Sequence, residues 1–288
     1  MKTETKCPYC MSENVVKRGF SATENRGKQQ RYLYKDCKKT FIIDTGFYKM
    51  KNSEESIAMS IDMYLSNLSS RKMRNQLMRH FRHKISHVSI LDWVRKYIMK
   101  VHKYISGLKP ELSGRMYADE TNVDCENRKD VFWCAVDWDT RFINATLYSP
   151  VHQNLADATQ FMEKIAKSKI PQYIQTDGLP FYNRAFTRTF YCKRDNMEVQ
   201  HRVNNHSKTG KHNVRIETVF SKIKDRVYDF RGFKARWSAP ILMAGIILQH
   251  NFKEAHTTTG KIPCELAGLK LEAGINRWLG MIRLASIH

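Results

Sequence analysis

Three acidic residues lie where the predicted strands and helices of this chain could bring their carboxylates together. Asp119 ends the first predicted strand of the central region, and Asp177 ends the fourth. Gly178 follows Asp177 directly, and glycine permits a sharp turn there. Glu217 lies on a later predicted helix, at the edge of its apolar stripe and among basic residues. Converging carboxylates repel one another unless cations share the site, and Mg²⁺ or Mn²⁺ prefers such oxygen ligands.

A site of this kind can perform chemistry at phosphorus. Two ions about 3.5–4 Å apart can activate an attacking oxygen and stabilise a leaving oxygen in an in-line displacement.

Each of the three acidic residues also has a simpler explanation when it is taken alone. Asp119 adjoins Glu120, and either could be a loop carboxylate. Asp177 and Gly178 form a common turn dipeptide, and Glu217 could form an ion pair along its own helix. The three favour a metal site together, because the order of the predicted elements brings each to one edge of a sheet.

The elements that would position these residues follow a linker over residues 108–114, which contains proline and glycine. Apolar and alternating runs predict strands, and amphipathic runs predict helices. In chain order they are strands over residues 115–119, 131–137 and 142–148, a helix over 155–168, a strand over 172–177, a helix over 180–189, a strand within 191–200, and a helix from 213. This order predicts an α/β domain whose first three strands form an antiparallel meander. An apolar helix over about 237–256 is expected to pack back on its core.

The charge of the chain indicates a polyanionic partner. The 288 residues include 49 Lys and Arg against 28 Asp and Glu, which gives a formal net charge of +21. Nucleic acid is the default partner for such an excess, because phosphate contacts dominate that kind of affinity. A membrane surface is less favoured, since no long stretch joins a basic face to an isolated apolar one. The longest apolar run, residues 239–248, is too short to span a bilayer, and we expect a soluble intracellular protein.

The first cysteines have the spacing of metal ligands. Cys7 and Cys10 form a C-x-x-C knuckle, and Cys37 follows in a basic, aromatic segment. Two such knuckles make a zinc ribbon, because Zn²⁺ takes four tetrahedral ligands. The second knuckle is incomplete here, since Tyr34 occupies the position of its first cysteine. The sequence leaves two alternatives open: zinc with a fourth ligand from elsewhere, for which Asp36 is near, or a ribbon that has lost its metal.

A helical region over residues 53–107 follows. Serines with the spacing of N-caps divide it into three helices: Ser53 would cap the first, Ser69 or Ser70 the second, and Ser86 the third. A short helix, a turn and a longer basic helix are typical of a helix-turn-helix, in which His87 and Ser89 would face the major groove and Arg95 would add a DNA contact. The alternative is an ordinary three-helix module that only connects domains. The net charge and the ribbon-like neighbour favour DNA binding.

Several sequence segments of the chain resemble the DDE transposases of prokaryotic insertion sequences, those of the insertion sequence six family in particular. The resemblance covers nearly the whole chain and is most specific around the three carboxylates. The segments lie at residues 117–124 (YADETNVD), 131–147 (VFWCAVDWDTRFINATL), 174–182 (IQTDGLPFY), 212–235 (HNVRIETVFSKIKDRVYDFRGFKA) and 260–269 (GKIPCELAGL). The region of residues 69–97 resembles the DNA-binding part of that family, and the cysteine segment resembles a variant that carries a ribbon.

The resemblance implies an RNase H-like catalytic core, with a mixed five-stranded sheet and flanking helices. It places the catalytic, metal-ligating triad on Asp119, Asp177 and Glu217, with 57 residues between the first two and 39 between the last two. It further implies two Mg²⁺ or Mn²⁺ ions, double-stranded DNA with terminal inverted repeats, a target DNA, and a homodimer or larger assembly. The basic residues expected to contact DNA lie on the predicted helix of Glu217 and are Lys224, Lys222 and Arg215.

The sequence therefore predicts a transposase that cuts and joins DNA strands in the nucleoid of a prokaryotic cytoplasm. Its expected parts are a zinc-ribbon-like segment (1–48), a helix-turn-helix domain (53–107), an RNase H-like domain (114–256) and a C-terminal tail (257–288). The expected zinc ligands, if the ribbon keeps its metal, are Cys7, Cys10 and Cys37. Two other functions fit the same residues: a catalytically inactive DNA-binding remnant, and a nuclease of this fold that does not transfer strands.

Overall fold

The computed structural model describes residues 7, 10–23, 27–81, 84–150, 154–192, 198–204 and 214–287. Its strands are β1 (Val15–Thr23), β2 (Gly27–Tyr34), β3 (Thr40–Ile42), β4 (Arg115–Cys125), β5 (Arg128–Asp137), β6 (Ile143–Ser149), β7 (Tyr173–Thr176) and β8 (Gln200–Val203). Its α-helices are α1 (Glu54–Leu65), α2 (Ser70–Phe81), α3 (His87–Ile105), α4 (Leu155–Ser168), α5 (Pro180–Thr187), α6 (Val214–Asp229), α7 (Ala239–Phe252), α8 (Pro263–Leu266) and α9 (Arg277–Ile287). Most of the predicted basic loop over residues 201–211 lies outside the described residues.

The central sheet has five strands in the order β6-β5-β4-β7-β8. The first three form the predicted antiparallel meander, and β7 and β8 run parallel to β4. Helices α4 and α5 pack on each other, while α6 packs against β4 and β5. This arrangement is the RNase H-like fold that the sequence predicted, and it makes β4 the central strand on which the carboxylates depend.

The predicted end of the first strand of this sheet was wrong. β4 continues past Asp119 to Cys125, because it forms a long hairpin with β5. Glu126 and Asn127 close that hairpin with φ angles of 49° and 62°, as a tight hairpin turn requires. The predicted strand within residues 191–200 falls mainly on residues 193–197, which lie outside the described residues. Residues Arg188–Cys192 form a π-helical turn after α5, and the last strand begins only at Gln200.

Asp137, at the end of β5, ties the linker to the sheet. Its side chain is fully buried. One carboxylate oxygen accepts hydrogen bonds from the Ser113 backbone N–H (2.9 Å), the Ser113 hydroxyl (2.8 Å) and the Gly114 N–H (3.2 Å). The other oxygen accepts from the N–H (3.0 Å) and hydroxyl (2.8 Å) of Thr140. These bonds fix the start of β4 against the turn that joins β5 to β6.

The region before the central sheet contains a three-stranded antiparallel sheet and three helices. The predicted caps Ser53 and Ser86 are confirmed, since their side chains accept hydrogen bonds from backbone N–H groups in the first turns of α1 and α3. The second helix is capped by Ser69 rather than Ser70, because the Ser69 hydroxyl accepts the Lys72 N–H at 3.3 Å.

Residues 257–287 are more structured than a tail. Helix α9 packs against α1 and α3, and the Arg283 guanidinium donates to one Glu54 oxygen at 3.0 and 2.8 Å. Trp278 is buried, and its indole N–H donates to Gln249 of α7 at 2.9 Å. The last helix therefore joins the N-terminal helices to α7. Within the described residues, none of the helices has the length and apolar character that crossing a membrane requires.

We expect Asp137→Ala to lower the free energy of unfolding by about 3 kcal/mol, because it leaves buried N–H and hydroxyl donors without an acceptor. Chemical denaturation measures this loss. Asp139→Ala is the matched control, since its side chain is 41% exposed and its ion pair with Arg115 is at the surface. Equal losses in the two variants would contradict the structural role given to Asp137.

Candidate active site

Strand register brings Asp119 and Asp177 side by side. β4 and β7 are parallel, and Tyr117 pairs with Gln175. Two residues further along each strand, Asp119 and Asp177 reach the same level, and a carboxylate oxygen of each lies within 4.8 Å of the other. β4 and β7 are neighbours in the sheet, as the predicted convergence of the two aspartates at one edge requires.

The turn after β7 presents Asp177 to this position. Gly178 has a φ of +88°, and a Cβ atom there would lie 2.3 Å from Cγ1 of Val203. Asp177 Oδ1 accepts the Leu179 N–H at 3.1 Å, and the Thr176 hydroxyl accepts the Gly178 N–H at 3.3 Å. Glycine is required here both by the backbone angle and by the close approach of β8.

Glu120 is a third carboxylate of the cluster, and the sequence analysis did not select it. Its register partner on β5 is Trp133, and side chains of adjacent strand residues point to opposite faces of a sheet. Glu120 nevertheless places an oxygen within 4.8 Å of oxygens from both Asp119 and Asp177. The Tyr182 hydroxyl of α5 donates a hydrogen bond to Glu120 Oε2. The sequence did contain a signal for Glu120, because it directly follows Asp119. The alternation of side chains along a strand, however, predicted that the two would lie on opposite faces of the sheet.

Glu217 lies near the cluster, but it is not one of the three residues whose carboxylate oxygens lie within 4.8 Å of one another. It is an exposed residue in the first turn of α6. Its charge acts on Asp119 and raises the pKa of that carboxyl, whereas Lys224 lowers it. Glu217 and Lys224 are seven residues apart, which is two helical turns, so they share a face of α6. The structure therefore brings Asp119 and Asp177 together and places Glu217 and Lys224 within electrostatic reach of them.

Burial and mutual repulsion make this cluster a place for a cation. The pKa of Asp119 is raised to about 7, first by burial and then by repulsion from the neighbouring Asp177 and Glu217. Burial likewise raises the pKa of Glu120 to about 8, with added repulsion from Asp119 and Asp177. Oxygen donors at this spacing, whose charges oppose one another, suit a hard divalent cation. The residues present thus fit the ion that the sequence predicted.

The predicted DNA contacts on α6 have different surroundings. Lys224 is exposed on the face that carries Glu217. Lys222 is half-buried, and its ammonium lies 3.9 Å from a carboxylate oxygen of Glu254. The side chain of Arg215 lies outside the described residues. Among the described residues, Lys224 is therefore a cation of α6 whose charge acts on the Asp119 carboxyl.

The predicted contacts on α3 lie far along the chain from the carboxylates. His87 and Ser89 are partly exposed in the first turn, and the Ser89 N–H donates to the Ser86 hydroxyl at 3.0 Å. Arg95 lies one and a half turns further, with its guanidinium 4.7 Å from the ring centroid of Trp237. Arg95 thus joins α3 to the segment before α7, a contact that the sequence did not indicate.

The three N-terminal cysteines converge. The sulfur atoms of Cys7, Cys10 and Cys37 all lie within 4.8 Å of one another, and those of Cys7 and Cys37 are 3.6 Å apart. Tetrahedral ligands at a Zn–S distance of roughly 2.3 Å lie about 3.8 Å apart, so the sulfurs suit such an ion.

The fourth position of this cluster holds no cysteine. Tyr34 keeps the tight turn of a knuckle, since its N–H donates to the Lys39 carbonyl at 3.0 Å and its carbonyl accepts the Lys38 N–H at 2.9 Å. Its ring is buried and stacks on Phe41, with centroids 4.3 Å apart. Burial and the nearby thiols raise the pKa of the Tyr34 hydroxyl. Asp36 is not part of the sulfur cluster and accepts hydrogen bonds from the side chains of Ser12 and Asn14.

Comparison with known proteins identifies one family. Residues 113–256 match the IS240 transposase family, whose description is a DDE domain. Solved structures give distant matches. A simian T-cell lymphotropic virus intasome in complex with PP2A regulatory subunit B56 gamma is 13% identical, with a TM-score of 0.41, over 73% of this chain and 75% of that chain. The HTLV-2 integrase catalytic core domain in complex with magnesium, in its trimeric form, is 16% identical, with a TM-score of 0.36, over 56% and 99%. No curated protein matches.

We expect Asp119→Asn to be more stable than the wild type at pH 8 in the presence of a chelator, and the difference to shrink towards pH 5. The raised pKa means that the folded state holds the Asp119 proton more tightly than the unfolded chain does. That stabilisation is present at low pH and is lost as the pH rises through about 7. Asparagine resembles the protonated carboxyl and does not titrate.

Thermal unfolding of both proteins between pH 5 and pH 8 measures this difference. Asp124→Asn is the matched control, because that exposed carboxylate lies on the same strand and pairs with Lys129 at 2.6 Å. A stability difference between Asp119→Asn and the wild type that does not change with pH would contradict the burial described for Asp119.

Proposed function

The chain belongs to the IS240-type family of DDE transposase domains, and we propose that it cleaves DNA at transposon ends and joins those ends to target DNA. The observation that supports this best is the position of Asp119 and Asp177, level on two parallel strands, with oxygens within 4.8 Å. Glu217, the third acidic residue of the proposed catalytic triad, is near enough to act on Asp119 electrostatically. Terminal inverted repeats and target duplex are the proposed DNA partners, in the nucleoid of a prokaryotic cytoplasm.

We propose that Asp119, Asp177 and Glu217 hold divalent cations, Mg²⁺ or Mn²⁺. When bound, these ions would activate the attacking oxygen and stabilise the leaving oxygen at the scissile phosphate. Asp119 and Asp177 supply fixed oxygens from the sheet, whereas Glu217 supplies its oxygen from α6. A helix that carries both Glu217 and Lys224 on one face sets a carboxylate and a cation beside the same phosphate.

Basic side chains would hold the DNA at this site. The net charge of +21 raises the local concentration of any nucleic acid, and Lys224 is exposed beside the carboxylates. The N-terminal helices would bind the transposon ends. The residues proposed to contact DNA lie on two helices: Arg215, Lys222 and Lys224 on α6, and His87, Ser89 and Arg95 on α3. A transposase that joins two ends needs at least two active sites, and we propose a homodimer or larger assembly.

The proposed reaction has two displacements at phosphorus and no covalent enzyme intermediate. Water attacks the phosphodiester at a transposon end, a new P–O bond forms, and the bond to the 3′ oxygen breaks. The freed 3′ hydroxyl then attacks a phosphodiester of the target, and its proton is lost as the target 3′ oxygen leaves. Asp119 and Asp177 keep their places in both displacements, so one site serves cleavage and joining.

We also propose that the N-terminal segment binds Zn²⁺ through Cys7, Cys10 and Cys37. The sulfur spacing suits three corners of a tetrahedron. Tyr34 occupies the knuckle position of the missing cysteine, so the fourth coordination position has no thiolate. Such a site would bind zinc more weakly than one with four thiolates.

Asp177→Asn is expected to lower strand cleavage and strand transfer by at least about 100-fold, because loss of a metal ligand removes several kcal/mol of transition-state stabilisation. The assay uses Mg²⁺ or Mn²⁺ and DNA that carries the sequences flanking the gene. Binding of that DNA should remain, and Asp124→Asn should behave as the wild type.

The outcomes of this assay separate the candidate functions. Joining of ends by the wild type alone supports a transposase. Cleavage without joining would replace the proposal with a nuclease, and DNA binding without metal-dependent chemistry would replace it with a DNA-binding remnant.

Tyr34→Cys is expected to tighten zinc binding by at least about 10-fold, because it supplies a fourth thiolate at the knuckle position. Cys37→Ser should weaken binding, and Tyr34→Phe should leave it near the wild-type value. Competition with a chromophoric chelator measures the affinities, and Co²⁺ absorption reports the number of thiolates. Tight wild-type binding that Tyr34→Cys does not improve would contradict an incomplete ligand set.

A further inference from the structure

The backbone pairing between β4 and β7 ends before it reaches Asp119 and Asp177. Its last pair is Tyr117 with Gln175, and β7 itself ends at Thr176. Asp177 therefore lies beyond the hydrogen bonds that hold the two strands together. Helix α5 begins three residues later, at Pro180, without a side-chain cap. The place of Asp177 beside β4 must depend on contacts of the turn that contains it.

One side of this turn is attached to β8. The Thr176 hydroxyl and His201 Nε2 share a hydrogen bond of 3.0 Å, and the same hydroxyl accepts the Gly178 N–H. The His201 ring stacks on Phe186 of α5, with centroids 4.8 Å apart. These contacts fix the turn to the outer strand, but they do not set its distance from β4.

Tyr182 attaches the other side of the turn to β4. It is fully buried in the first turn of α5, with its ring edge-on to Trp133 at a centroid distance of 5.7 Å. Its hydroxyl donates to Glu120, which adjoins Asp119 on β4. A closed path thus runs from Asp119 through Glu120 and Tyr182 back to Asp177, five residues before the tyrosine.

We propose that the Tyr182–Glu120 hydrogen bond sets the separation of the Asp119 and Asp177 carboxylates, which makes Tyr182 and Glu120 positioning residues of the catalytic centre. This inference rests on the proposed function of the two aspartates. The bond acts where the ladder is missing and opposes the repulsion that pushes the carboxylates apart. A buried hydroxyl requires a partner, and Glu120 is the acceptor that the Tyr182 hydroxyl has.

Two pairs of variants isolate the hydrogen bond. Tyr182→Phe removes the hydroxyl and keeps both the ring packing and the charge of Glu120. Tyr191→Phe is its matched control, because the Tyr191 hydroxyl, just after α5, donates to the Val199 carbonyl at 2.9 Å instead. Glu120→Ala and Glu120→Gln both remove the charge, but only glutamine keeps an acceptor for Tyr182.

The measurement is Mn²⁺ binding to the full chain without DNA, from the paramagnetic resonance signal of free Mn²⁺. We expect Tyr182→Phe to weaken binding by about 10-fold, as loss of an outer hydrogen bond to a metal site typically does. Glu120→Ala should bind at least about threefold more weakly than Glu120→Gln. Tyr191→Phe should match the wild type, and thermal unfolding verifies that each variant is folded.

Wild-type affinity in folded Tyr182→Phe would overturn the inference. Equal affinities in Glu120→Gln and Glu120→Ala would also overturn it, since charge and not the hydrogen bond would then matter. Asp177→Asn distinguishes these failures from failure of the proposed function. If Asp177→Asn binds Mn²⁺ as the wild type does, the proposed metal centre itself is wrong; if it loses Mn²⁺ while Tyr182→Phe does not, only the positioning role is wrong.

Discussion

Repulsion among half-buried carboxylates is the constraint on which the central region of the fold depends. Asp119, Glu120 and Asp177 hold oxygens within 4.8 Å of one another, and burial together with repulsion from the neighbouring carboxylates raises the pKa of Asp119 to about 7 and that of Glu120 to about 8. Left to themselves, such groups would separate or bind protons. The sheet prevents separation, because Asp119 and Glu120 belong to its central strand and Asp177 follows the strand next to it. The remaining charge can be balanced by a cation, which gives this site its chemical use.

The rest of the domain holds the frame of this site. Buried Asp137 accepts hydrogen bonds from the linker and from the turn between β5 and β6, and these bonds fix the position of the first residues of β4. Helix α6 packs against β4 and β5 and carries Glu217 and Lys224 towards the same edge. Helix α9 connects α1 to α7 through Arg283 and Trp278. The proposed DNA-binding helices are thereby joined to the sheet through packed contacts.

Much of this arrangement could be predicted from residue patterns, and the failures have physical causes. The order of strands and helices follows from hydrophobic periodicity, and helix α4 was predicted with its observed bounds. The extension of β4 was missed because Glu126 and Asn127 do not form a common turn pair, although both adopt positive φ. Glu120 was missed because strand alternation separates the side chains of neighbouring residues, whereas in the structure an oxygen of Glu120 lies within 4.8 Å of oxygens from Asp119 and Asp177. The contact of Arg95 with Trp237 joins residues distant in sequence, and periodicity carries no signal for it.

The most direct test of the metal centre is to locate the bound ion on the chain. Fe²⁺ in place of Mg²⁺, with ascorbate and peroxide, generates hydroxyl radicals that cut the backbone beside the ion, and mass spectrometry identifies the cuts. The account predicts cuts near Asp119, Asp177 and Glu217, which excess Mg²⁺ suppresses. Cuts confined to the segment of Cys7 and Cys37, or cuts near the aspartates that Mg²⁺ does not reduce, would contradict a divalent metal centre formed by β4, β7 and α6.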